Sequence, residues 1–138
     1  MPGLVWAVDH TEGPILELGA GYFSTPYLWG TGRPVVTYEH DPEWATLIEA
    51  NVPGFFTTLV TDFQDVPEQD WAVVLVDGYG WDRQKFFDAL VERTGVFVVH
   101  DTQDPWISEE AMSQFKYRFD FGEDPRTTIL SQVLPIAM

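Results

Sequence analysis

The chain has 138 residues, enough for one domain with one core, and 45% hydrophobic with 15% aromatic content excludes a disordered polymer. With 7 basic and 22 acidic residues the formal charge is -15, so few cations exist to displace counterions from a phosphate backbone and nucleic acid is not an expected partner. The absence of cysteine excludes disulfide frameworks and thiolate metal sites.

Residues 1 to 13 carry turn formers and mixed polarity, with Leu4 to Val8 a short apolar patch suited to packing as an arm. No positive region opens the chain and Asp9 and Glu12 follow the patch, so no secretory signal is expected and a cytoplasmic protein is. No apolar run approaches the roughly 18 residues that span a bilayer. Ile15 to Leu18 reads as a strand that is apolar on both faces, as a central parallel strand is. Gly19 and Gly21 turn the chain, and a helix restarts near Ser24 and Thr25, with Pro26 tolerated in its first turn. Val35 to Glu39 is the second strand; Asp41 caps a helix over about Glu43 to Glu49. Phe55 to Val60 is a third strand, ending at Asp62. Trp71 to Val76, WAVVLV, is the strongest strand signal. A helix follows over Asp82 to Arg93, with Phe86, Phe87, Leu90 and Val91 at helical spacing. Val96 to Val99 is a fifth strand, Gln103 to Gln114 a short helix, and Phe115 to Phe121 with Thr127 to Val133 an antiparallel hairpin at the sheet edge.

Strands alternating with helices imply an open α/β sheet with mostly parallel strands and a C-terminal antiparallel hairpin, over one domain spanning 1–138. Ligands in such sheets bind beyond the carboxyl ends of the strands. An acid stands at or just past each of those ends: Glu17, Glu39, Asp62, Asp77 and Asp101. Gly19 and Gly21 let backbone approach a ligand, or form an ordinary βα turn. Glu39, about 20 residues after the turn, is placed to accept hydrogen bonds from ribose hydroxyls, or is a solvated strand terminus. Asp62 suits an adenine amino group and equally a loop acid. Ser24 replaces the third glycine of the dinucleotide fingerprint, which counts against a nicotinamide oxidoreductase.

Taken together, E-L-G-A-G with Ser-Thr, Y-E-H-D, L-V-D-G and V-V-H-D-T resemble the class I S-adenosylmethionine-dependent methyltransferases, and the resemblance covers nearly the whole chain. It is closest to compact, minimal methyltransferase-like proteins. The resemblance implies a three-layer Rossmann-like sheet whose last strand is antiparallel and inserted beside the fifth. It also implies that Glu17 orients the methionine amino group, directly or through water. Gly19 and Gly21, with Ser24 after them, line the methionine and ribose. Glu39 holds the ribose hydroxyls, His40 lies against the adenine face, and Asp62 and Phe63 flank the adenine edge. Asp77 faces the methyl group and the acceptor. Phe23 stands where the family often has a further glycine.

For the chemistry, Asp77, His100 and Asp101 lie at the ends of the fourth and fifth strands and form the catalytic candidates. His100 serves as a general base for a hydroxyl acceptor, or is a histidine bonded at the sheet edge. Asp77 and Asp101 loosely match the acids that hold a divalent cation in metal-dependent O-methyltransferases; metal is the weaker reading, and S-adenosylmethionine is the expected cofactor. Tyr79, Trp81, Arg83 and Trp106 read as an acceptor pocket or as amphipathic rim packing. No nucleophile elbow, zinc spacing or P-loop is present. The expected function is methyl transfer to a small molecule or exposed acceptor group, with the site either open or completed by a second chain. The alternative is a binding or interaction protein that keeps the fold and transfers nothing.

Overall fold

The computed structural model describes residues 2–52, 58–59, 66–78 and 82–137. A seven-stranded sheet runs in the order β3-β2-β1-β4-β5-β7-β6, with strands β1 (Ile15–Leu18), β2 (Val35–Glu39), β3 (Thr58–Leu59), β4 (Trp71–Val76), β5 (Thr94–His100), β6 (Tyr117–Phe121) and β7 (Thr127–Ser131). The first five pair in parallel, and β7 lies antiparallel between β5 and β6. Strand order reverses at β1, which has β2 on one side and β4 on the other. The expected insertion of an antiparallel strand beside the fifth is therefore present.

Alternation along β4 explains the layers. Val74 and Val76 face a core that includes Leu16, Leu18, Phe97, Val99 and Leu130. That core is covered by Phe86, Phe87 and Leu90 of α4 (Arg83–Leu90) and Met112 of α5 (Glu109–Ser113). Val73 and Leu75 face the opposite core with Ile15, Val96, Val98 and Ile129. There the cover is Leu4, Trp6, Ala7 and Val8 of α1 (Pro2–Asp9) and Leu28 of α2 (Ser24–Trp29). A strand buried on both faces has no polar side to show, which is why WAVVLV is a continuous apolar run. Ile48 of α3 (Pro42–Asn51) packs with Ala20 and Val52 in a smaller cluster.

Two elements differ from expectation. Residues 2–9 form a helix rather than an arm: Leu4, Ala7 and Val8 fall at helical spacing and α1 lies over β4, β5 and β7. Pro2 is compatible with the first helical position, where its missing N–H costs nothing. At the other end of the chain, α5 is shorter than Gln103 to Gln114. Asp101 takes a left-handed conformation at φ +58°, and Pro105 disfavours helix at the residue before it. The helix starts only where Ser108 accepts a hydrogen bond from the Ala111 N–H. Among the described residues no helix is long and apolar enough to cross a membrane.

Candidate active site

Parallel strands β1, β2, β4 and β5 end at one edge of the sheet, and backbone hydrogen bonds join the ends of the first three. The Gly19 N–H donates to the Tyr38 carbonyl at 2.8 Å, and the Asp77 N–H to the Leu18 carbonyl at 2.8 Å. Gly19 has φ +96°, and a Cβ there would lie 2.4 Å from the Asp77 carbonyl oxygen. Only glycine fits, on grounds of both dihedral and space. The turn after β1 is therefore pressed against the end of β4.

Beneath this turn Glu17 is fully buried. Its carboxylate accepts from Ser24 Oγ at 2.6 Å, Thr25 Oγ1 at 2.8 Å and Thr37 Oγ1 at 2.9 Å. Burial pushes its pKa up to about 7, against the lowering effect of the three hydroxyls; the Asp77 charge adds a smaller upward push. Thr25 Oγ1 also accepts the Gly21 N–H at 2.9 Å, and Thr37 Oγ1 the Trp29 Nε1–H at 3.1 Å. Glu17 thus joins β1, β2, the turn and the first residues of α2. Thr37 is its register partner on β2, which brings the two side chains side by side.

Glu39, also buried, accepts the Ala20 N–H on Oε1 at 3.0 Å. Its Oε2 accepts the His40 and Asp41 N–H groups at 3.1 and 3.0 Å, and His40 Nδ1 lies 3.1 Å away. Asp41 caps α3 by accepting from the Glu43 and Trp44 N–H groups. Trp44 Nε1–H donates to the Ala20 carbonyl at 2.6 Å, so α3 also fixes the turn.

At the neighbouring strand ends, His100 Nδ1 lies 3.0 Å from Asp101 Oδ2 and 3.5 Å from Asp77 Oδ1. Asp77 Oδ1 accepts the Gly78 N–H at 2.7 Å. Burial pushes the Asp101 carboxyl up, but the neighbouring His100 ring, the Gln103 amide and the Arg83 charge together hold it below the usual carboxylate range. The loop carrying Asp101 is pinned from both sides. The Thr102 N–H donates to the Arg126 carbonyl at 2.9 Å, Arg126 Nη2 to the Thr102 carbonyl at 2.6 Å, and the Arg126 N–H to Gln103 Oε1 at 2.8 Å. An imidazole with Nδ1 turned to two carboxylates keeps Nε2 for a proton from elsewhere.

The structure brings Glu17, Gly19, Gly21, Ser24, Glu39 and His40 into one cluster and sets Asp77, His100 and Asp101 beside it. Asp62, Phe63, Tyr79 and Trp81 lie outside the described residues. Thr25, Thr37 and Trp44 carry connections that the sequence reading left unassigned; a threonine in mid-strand, level with a buried acid, was the available signal. Arg83 is not at the rim. It is buried to 1% exposure.

The polar atoms of Asp77, His100 and Asp101 come within 4.8 Å of one another. Arg83 Nη2 already sets a cation 3.6 Å from Asp77 Oδ1, and a histidine nitrogen is outside the oxygen set that Mg²⁺ takes. Mg²⁺ therefore fits this group poorly. A nucleotide-like cofactor fits the neighbouring cluster better, since glycine backbone and a strand-end acid meet there.

No family model and no curated protein matches the sequence. Solved structures do match. WbdD superimposes with TM-score 0.65 at 16% identity, over 95% of this chain and 38% of that one. A TehB-like SAM-dependent methyltransferase from Corynebacterium glutamicum gives 0.65 at 16% identity, over 93% and 84%. The 16S rRNA N2 G1207 methyltransferase RsmC of T. thermophilus, in complex with AdoMet and guanosine, gives 0.64 at 19% identity, over 94% and 42%. The fold is the class I methyltransferase fold. At these identities the likeness is one of fold, and the chain spans less than half of WbdD and RsmC. In a class I sheet the edge described above is where the strand order reverses and where ligands bind.

Proposed function

We propose that the chain binds S-adenosylmethionine at the ends of β1, β2 and β4 and directs its methyl group to a small-molecule or exposed acceptor, with a hydroxyl as the acceptor group. The observation that carries the reading is Gly19, whose φ of +96° and lack of room for a Cβ set the ligand turn against the strand end bearing Asp77. Gly19, Gly21 and Ser24, with Glu17 beneath them, hold the methionine end. Glu39 holds the ribose hydroxyls and His40 the adenine face, with Asp62 and Phe63 at the adenine edge. The cofactor supplies an electrophilic methyl group.

The chain's own part is positioning and proton transfer. Asp77 and Asp101 stand beside His100 Nδ1 at 3.5 and 3.0 Å, where their negative charge favours the imidazolium that forms when the ring takes a proton. His100 Nε2 takes the acceptor's hydroxyl proton as the oxygen becomes methylated. Both Asp77 and His100 are partly exposed, so an acceptor reaches them from solvent.

Calorimetry with S-adenosylmethionine, S-adenosylhomocysteine and NAD tests the reading. Heat is expected for the two sulfur ligands only, and its absence for both at millimolar concentration overturns it. Binding without labelled methyl transfer to any of a panel of hydroxylated acceptors would favour the non-catalytic alternative.

A further inference from the structure

We infer that Arg83 is the positioning residue of the catalytic half of the site: its buried guanidinium joins the ends of β4 and β5 and sets Asp77 opposite His100. The catalytic meaning of this role rests on the methyltransferase reading; the joining itself does not.

The β4–β5 ladder has its last pair at Val76↔Val99. One step further along stand Asp77 and His100, where the ladder no longer fixes the spacing. Arg83 takes over there. Its Nε and Nη2 donate to the Gly78 carbonyl at 2.8 and 2.5 Å, and its Nη1 donates to the His100 carbonyl at 2.7 Å. The five N–H donors of a guanidinium lie in one plane in a fixed fork, so two carbonyls bonded to one fork cannot move independently. One belongs to His100 itself and the other to the residue after Asp77. The same group lies 3.6 Å from Asp77 Oδ1, and its Cζ stands 5.1 Å from the centre of the Trp106 ring. Stacking of that kind restrains a guanidinium in place.

Burial of a charge is costly unless it is well bonded. A purely packing role at this position would be served by an apolar side chain, whereas the Nε, Nη1 and Nη2 bonds to the Gly78 and His100 carbonyls go to the strand ends that carry the acid and the base. The position follows from the local sequence. Asp82 caps α4 by accepting the Lys85 N–H, and Arg83 opens the helix, directly after the segment that leaves β4.

The test is Arg83→Met and Arg83→Lys, read by nitrogen-resolved NMR of the histidine rings, with thermal melting alongside. The chain has only three histidines, so His10 and His40 serve as internal controls. The wild type is expected to show unequal His100 ring-nitrogen signals, because both acids lie on the Nδ1 side of the ring. Both variants are expected to lose that pattern, with the two ring-nitrogen signals collapsing toward an average, while His10 and His40 stay unchanged. Lysine keeps the charge but lacks the fork, so rescue by Arg83→Lys, or an unchanged His100 pattern in either folded variant, overturns the proposal. Equal changes at all three histidines, or failure of both variants to fold, also overturns it, by making Arg83 a general stability residue. Calorimetry with S-adenosylmethionine on the wild type separates this result from the cofactor reading: a lost His100 pattern with no cofactor binding leaves the positioning role intact and removes the methyltransferase one.

Discussion

Glu17→Gln isolates the cost of a buried charge. The Glu17 pKa rises from 4.5 unfolded to about 7 folded because of burial. Between those values the folded chain holds a proton that the unfolded chain has released, so unfolding stability falls as pH rises. The difference of roughly 2.5 units, at about 1.4 kcal/mol each, gives about 3–4 kcal/mol lost between pH 4.5 and about 7, and nothing further above that. Glutamine is nearly isosteric and does not titrate. Its oxygen accepts from one or two of the hydroxyls of Ser24, Thr25 and Thr37, and its amide can donate to a remaining lone pair. Urea unfolding followed by tryptophan fluorescence at intervals from pH 4.5 to 8 measures the effect. The wild-type curve is expected to drop toward neutral pH relative to Glu17→Gln, and subtracting the two cancels groups that titrate alike in both. Parallel curves across the whole range would refute the reasoning, because the buried carboxylate would then carry no proton linkage.

Gly19→Ala places a Cβ 2.4 Å from the Asp77 carbonyl at φ +96°; it should lower the melting temperature by many degrees and abolish S-adenosylmethionine heat in calorimetry. Glu39→Ala leaves the buried Ala20 N–H without its acceptor, at a cost of about 1–3 kcal/mol in chemical unfolding. If the ribose is held at Glu39, cofactor affinity also falls by about 1–3 kcal/mol, and an unchanged affinity would contradict that assignment. Leu4→Ala on α1, at 1% exposure, should cost about 2–5 kcal/mol in urea unfolding. A cost under 0.5 kcal/mol would mean that the helix contributes no core.

Legibility in the sequence followed the locality of the cause. WAVVLV is the same strand in sequence and structure because burial on both faces writes itself as a continuous apolar run. Glu17, Glu39, Asp77 and His100 could be placed at one edge because parallel strands align their ends. The bonds that organise the edge were hidden. Thr37 matters because register sets it beside Glu17, and register is not a property of either segment alone. Arg83 reads as surface because a charge normally does; its burial depends on the carbonyls of Gly78, just past β4, and His100, the last residue of β5. In α1, the turn formers and mixed polarity of residues 1 to 13 mask the helical spacing of Leu4, Ala7 and Val8, which packing against the sheet makes decisive. The short α5 reflects Pro105 and the left-handed Asp101, with Arg126 bonding the adjoining Thr102 and Gln103.

The placing of β7 between β5 and β6 has a consequence for biosynthesis. β6 is made before β7 yet has no partner until β7 exists, and β5 has one bare edge until then. α1, made first, lies over β7 among other strands, and Trp6 Nε1–H donates to the Ala137 carbonyl. On a ribosome, therefore, the growing chain keeps an open sheet edge and a partly uncovered first helix until residues 127–131 emerge, and a nascent chain stalled before Thr127 should be open to protease at α1 and to a chaperone at β5.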